Sequence, residues 1–152
     1  MNRLAMQKWA ALVTVTFLTA WGVAHARNTT EHFPLADVLA MPEAKAKLDP
    51  AIKIYLKGQS HPQVDKELGE GVTNQKTDAA ARSDEHACRW AALDALIGLQ
   101  RGAKARGANA VVDVVSYYKR QPFESATEYE CHAGAVIAGV ALKGEYATMA
   151  AD

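Results

Sequence analysis

A chain of 152 residues with only two cysteines, Cys88 and Cys131, both downstream of an export signal, is constrained most by what those thiols must do. The signal is read from MNRLAMQKWAALVTVTFLTAWGVAHA. Arg3 and Lys8 give a basic start, Ala10 to Val23 an apolar run, and Ala24-His25-Ala26 a small-x-small cleavage site. The apolar run is shorter than the roughly 20 residues that span a bilayer, and no basic stop-transfer cluster follows it. A signal peptide over residues 1–26 is therefore favoured over an uncleaved anchor. No cysteine stands at the cleavage point to take a lipid, so no stable membrane anchor is expected. The mature chain should be soluble, periplasmic or secreted, and begin near Arg27. In an oxidising compartment two cysteines most simply pair. Closing a loop of this size is worth about 4 kcal/mol in the chain-entropy model, a large share of a small domain's stability.

Losing Arg3 and Lys8 with the signal leaves 15 Lys+Arg against 17 Asp+Glu. That balance lacks the clustered basic face of a phosphate-backbone binder, so no nucleic-acid partner is expected. The remaining chain is long enough for one core. Residues 27–50 read as an N-terminal helical segment: PLADVLAM, then Pro42 opening PEAKAKL, then Asp49-Pro50 as a stop. Residues 51–146 read as a single α+β domain and 147–152 as a disordered tail.

Within that domain AIKIYLKG alternates Ile52, Ile54 and Leu56 with Lys53, Tyr55 and Lys57, the pattern of a half-buried strand. From Gly58 to Ala81 a loop is expected, with a weak edge strand around Gly71 to Thr77. Ser83 is a suitable N-cap, followed by Asp84 and Glu85, for a helix ending before Gly107. At 100° per residue Cys88, Ala91, Ala92, Ala95, Leu96, Leu99 and Ala103 share one face of that helix. Trp90, Leu93 and Ile97 form a second stripe on the opposite side. It should be covered by the N-terminal segment or by a partner subunit, and so marks a candidate interface. Then NAVVDVVSYYK predicts a strand, KRQPFESA a hairpin loop, and TEYECHAGAVIAGVALK one long strand bent at Gly134 and Gly139. The fold class is α+β: a small sheet packed on one main helix, with short N-terminal helices and a disulfide staple.

Chemistry-bearing residues concentrate in SATEYECHAG. A metal held by His86, Cys88, Cys131 and His132 is disfavoured, because strand neighbours Cys131 and His132 point to opposite faces and the spacings CxxC and HxxxH are absent. The same alternation that turns Tyr129, Cys131 and Ala133 toward the helix sets Glu128, Glu130 and His132 on the outer face, where Asp113 could join them. Asp113, Glu128, Glu130 and His132 are thus a candidate divalent-metal set of oxygen and imidazole ligands, weighed against an ordinary solvated face balanced by Lys119 and Arg120. No other cofactor is expected. No phosphate loop, GxGxxG or GxSxG is present, so ATPase and nuclease motifs are absent, and no catalytic residues are assigned. The alternative is a small thiol- or metal-dependent hydrolase or redox enzyme using Cys131 or His132.

At SDEHACRWAALDAL, GANAVVDVVSYYK and SATEYECHAGAVIAGVALKG the chain resembles a family of small exported bacterial proteins commonly labelled "excinuclease ATPase subunit". The likeness also takes in HFPLADVLAMPEAKAKLDPAIKIYLKGQSHP, nearly the whole mature chain. Excinuclease ATPases carry phosphate loops and zinc cysteines, and this chain has neither, so the label is read as an accident. In its order of helix, GANAVV strand, loop and Cys-bearing strand, the chain is loosely similar to the sensor lipoprotein of the Rcs envelope-stress pathway and to YbjQ-type domains. That resemblance implies a sheet packed on a helix and a disulfide tying helix to strand at Cys88 and Cys131. The chain lacks the sensor's lipidated cysteine and second cysteine pair. The expected function is non-catalytic: an exported envelope protein that binds an envelope partner or a second copy of itself, in stress sensing or protection.

Intact-mass measurement on protein from the periplasm or medium is expected to give a chain beginning near Arg27; full-length protein recovered from the cytosol would overturn the export reading.

Overall fold

The computed structural model describes residues 26–150; the expected signal lies almost wholly outside them. The fold is organised by helix α3, Asp84–Ala105, whose ends follow from local chemistry. At its start the Ser83 hydroxyl accepts the His86 N–H, and Asp84 and Glu85 sit at the positive end of the helix. At its end Gly107 takes φ +70°, its N–H bonding Lys104 O while the Ala108 N–H bonds Ala103 O, a Schellman closure. The small-residue face from Cys88 to Ala103 is buried throughout.

The sheet beneath α3 is built around β6, Ile137–Met149. One edge of β6 pairs along its length with β3, Val64–Asp78, in antiparallel register. The other edge is shared. Its start pairs with β5, Glu128–Ala133, and its remainder with β4, Ala110–Ser116. Outside these lie β1, Thr29–Pro34, antiparallel to β5, and β2, Lys53–Leu56, parallel to β4. The fold is α+β as expected, with one main helix, short helices and a curled six-stranded sheet. Cys88, in the first turns of α3, is disulfide-bonded to Cys131 in β5, with Cα atoms 5.9 Å apart and both residues fully buried. Tyr146 reaches from β6 to α3 where Gly71 and Gly102 leave room for its ring; a Cβ at either position would collide with it.

The N-terminal segment departs from the expectation of helices alone. Helices α1, Leu35–Leu39, and α2, Pro42–Lys47, lie where expected, but β1 precedes them and completes the sheet edge. Leu35, Val38 and Ala44 are buried in the same core as Leu93, and Trp90 and Ile97 are partly buried against it. Lys47 Nζ lies 5.5 Å above the Trp90 ring. Gln100 ties α3 to the loop between α2 and β2, donating to the carbonyls of Asp49 and Ile52 and accepting the Asp49 N–H, so its buried amide is paired. Arg27 makes a bidentate contact with Asp84 and donates to Gly134 O.

Four further expectations differ. The edge strand expected around Gly71 to Thr77 is present but longer: most of the surrounding loop expected from Gly58 belongs to the 15-residue β3, which pairs with β6. The single strand expected across 127–143 is two strands, β5 and β6, reversed through 134–136, where the Gly134 N–H bonds Ile137 O. KRQPFESA does not close a hairpin between paired strands: β5 and β4 take successive stretches of the same edge of β6, and the connection folds back through a 3-10 turn at Tyr118–Arg120 and a bridge from Phe123 to Ser116. Of the tail expected from residue 147, residues 147–149 are the end of β6. Among the described residues, the non-glycine positions Ala81, Asp113, Lys119 and Arg120 hold left-handed φ between 49° and 63°, each at a cost of about 1 kcal/mol.

Leu93 is fully buried within the single chain. Leu93→Asp should therefore unfold the monomer, because an unpaired buried carboxylate costs several kcal/mol. Chemical denaturation together with light scattering checks this; a variant as stable as its parent, or a folded monomer released from a dimer, would contradict it.

Candidate functional site

Strand alternation gives β5 two unlike faces. Tyr129, Cys131 and Ala133 are fully buried under α3, while Glu128, Glu130 and His132 point the other way and are partly exposed. Register carries the pattern to β1. His32 lies opposite Glu130 and Thr30 opposite His132, so both join the outer face.

There the side chains form a chain of contacts. His132 Nε2 is 2.8 Å from Glu130 Oε1, and His32 Nε2 is 3.4 Å from Glu130 Oε2. Thr30 Oγ1 lies 3.4 Å from His132 Nδ1. The tautomer of His132 with its proton on Nε2 satisfies both contacts, donating to Glu130 and accepting from the Thr30 hydroxyl. Each imidazole is also stacked, His132 on Tyr118 with centroids 3.4 Å apart and His32 on Phe123 at 4.2 Å. The connection after β4 brings in both aromatics, and the Ser116 hydroxyl accepts the Glu130 N–H at 2.8 Å. The side chains of His132 and Glu130 retain only 11 % and 15 % exposure, so this is a clamped cluster and not a freely solvated face. His132 and Tyr118 also border a cleft of about 220 Å³ with Asn28, Asn74 and Lys76.

Of the four expected metal ligands, only Glu130 and His132 make contact. Glu128 occupies the same face, with its backbone N–H bonded to Ser125 Oγ. Asp113 sits at a bulge in β4, between the registers of Val112 and Val115, and lines a different cleft. Bulging re-aims that residue and breaks the alternation on which its grouping with His132 relied. Among the described residues, no three His, Cys, Asp or Glu side chains are arranged to hold a metal ion. The disulfide also removes both cysteines from metal or thiol chemistry. His86 packs near Trp90, with ring centroids 6.5 Å apart.

His32 and Thr30 were not singled out by sequence reasoning. The available signal was the alternation in TTEHFP, which is short and ends in proline. Tyr118 and Phe123 lie in an irregular connection, where periodicity gives no orientation.

The cleft beside Asp113 measures about 320 Å³ and is bordered by Lys57, Arg120 and Glu124, with Lys143 and Glu145 from β6. Its hydrogen bond to Glu70, at 2.7 Å, holds the Lys143 ammonium above the ordinary lysine value. On the inner face, the Tyr129 hydroxyl has no hydrogen-bond partner among the described residues, and burial pushes its phenol well above the ordinary tyrosine value. No protein-family model, curated protein or solved structure matches this chain.

Tyr129→Phe removes an unpaired buried hydroxyl, so it should leave stability at pH 7 unchanged or raise it by about 1 kcal/mol. A raised folded-state value means that the unfolded chain ionises first as pH climbs. The parent should therefore lose stability above about pH 10, and the variant less so. Urea melts of both proteins at pH 7 and above pH 10 measure the difference; a destabilised variant at pH 7 would show that the hydroxyl is paired.

Proposed function

We propose that this protein is an exported, disulfide-stapled binding module of the cell envelope and not an enzyme, with the outer face around His132 as its ligand-facing surface. The observation that carries this reading is the buried Cys88–Cys131 bridge. It suits an oxidising compartment and leaves no thiolate to act as nucleophile. No helix among the described residues is long and apolar enough to cross a membrane. Asn28, Asn74 and Lys76 supply hydrogen-bond donors around a cleft walled by Tyr118 and His132, a mixture suited to orienting a polar ligand. A role in stress sensing or protection accords with the likeness to the Rcs sensor lipoprotein.

A second reading, divalent-metal binding, is favoured by one finding: two imidazole nitrogens contact the two oxygens of a single carboxylate. A metal would have to displace those contacts and draw His32 and His132 together, both held by stacking. Because metal competes with protons for imidazole, such binding should tighten as pH rises.

Two measurements separate the readings. Protein recovered from the periplasm or medium and denatured without reductant should show no free thiol; two would favour the thiol-enzyme alternative and end the stapled-module account. Calorimetric titration with zinc, copper and nickel decides the metal reading. It requires saturable binding tighter than about 1 mM that is lost in His32→Ala and in Glu130→Gln with His132→Ala. Heatless titrations would remove metal as the ligand and leave the polar-ligand reading.

A further inference from the structure

The cleft beside Asp113 shares no lining residue with the cleft at His132. Two of its lining residues hold left-handed backbone: Asp113 at φ +50° and Arg120 at φ +63°, the latter directly after Lys119 at +49°. Glycine would occupy such positions without strain, yet at both places the chain carries a charged side chain. The Asp113 bulge interrupts the β4 pairing with β6, and the Lys119–Arg120 turn brings the chain back over the same cavity.

The cavity holds both signs of charge. Lys57 and Arg120 supply cations beside Lys143, and Asp113, Glu124 and Glu145 are its carboxylates. None of these five side chains forms an ion pair with a described residue, although opposite charges border one space; the sixth charge of the cleft, Lys143, is bound to Glu70. Lys57, Asp113, Arg120 and Glu124 are exposed at the cleft, so both signs of charge are open to a ligand that bridges them. A simple anion would meet three carboxylates and a simple cation would meet Lys57 and Arg120. A molecule with separated charges of both signs meets a partner at each end. Val115, Pro122 and the Tyr117 ring give the cavity apolar walls, and its volume of about 320 Å³ is at the small-molecule end of the range for binding sites.

We propose that this cleft binds a small zwitterion, a free amino acid or dipeptide, with its ammonium at Asp113 and the neighbouring glutamates and its carboxylate at Arg120 and Lys57. The strained backbone at Asp113 and Arg120 is the means by which the two opposite charges are aimed into one space.

The test uses the mature, oxidised protein with alanyl-alanine, its N-acetyl derivative and its C-terminal amide as probes, followed by calorimetry and by amide chemical shifts. The uncapped dipeptide should bind tighter than about 1 mM and shift amides near Asp113 and Arg120, with either capped form at least about tenfold weaker. Asp113→Asn and Arg120→Gln should each weaken binding of the uncapped dipeptide at least about tenfold. Asp113→Gly, which relieves the left-handed strain, should melt no lower than the parent yet lose affinity to the same degree. Equal binding of capped and uncapped probes, absence of saturable binding by the uncapped dipeptide, tighter binding of inorganic phosphate or calcium alone, or full affinity in Asp113→Gly would each overturn the proposal.

Discussion

The bond between Cys88 and Cys131 joins the first turns of α3 to the middle of β5, and the arrangement of both faces of the sheet follows from that attachment. It fixes which side of β5 faces the helix. Tyr129 and Ala133, two residues to either side of Cys131, must then be buried with it, and Glu130 and His132 must face outward. The bridge spans 43 residues of sequence, so in the chain-entropy model it contributes about 4 kcal/mol by restricting the unfolded chain. For a domain of this size that is comparable with the whole margin of stability.

Close approach of α3 to the sheet is the second requirement. Ala91, Ala92, Ala95 and Ala103 keep the helix surface low, and Gly71 and Gly102 make room for the Tyr146 ring. The opposite side of the helix is occupied by Leu35, Val38 and Ala44 from the N-terminal segment. Those residues and the paired amide of Gln100 join residues 27–50 to the same core as the rest of the chain. The Tyr129 hydroxyl is the polar cost of that core: a ring volume is filled, but its oxygen finds no partner among the described residues.

On the outer face, function and packing meet in the same residues. Glu130 bridges two imidazoles while Tyr118 and Phe123 cover them, so a cluster with ligand-like chemistry is also a second, smaller packed layer. Substitutions there will alter both local order and any binding, and for that reason conservative changes such as Glu130→Gln are more informative than truncations. The Asp113 cleft differs in that, among the described residues, Lys143 alone of its charges takes part in an ion pair and two of its residues carry backbone strain.

Much of this was legible in the residues. Ser83 and Gly107 marked the ends of α3, the helical period selected its buried face, and strand alternation placed Cys131 and His132 on opposite sides. These are local rules, and they act through neighbours within a turn or a strand. What the tertiary structure alone decided was pairing. VDKELGEGVTNQKTD is polar and contains two glycines, so locally it marks no more than a weak edge strand around Gly71 to Thr77; the long ladder offered by β6 extends it to fifteen residues. The run after Cys131 reads locally as one strand bent at Gly134; that the bend becomes a full reversal through 134–136 depends on separate partners for the two strands, here β1 for β5 and β3 and β4 for β6. The joining of His32 to Glu130 and the diversion of Asp113 into another cleft have the same origin. Which residues share a face across strands is set by register and bulges, and register is a property of the assembled sheet.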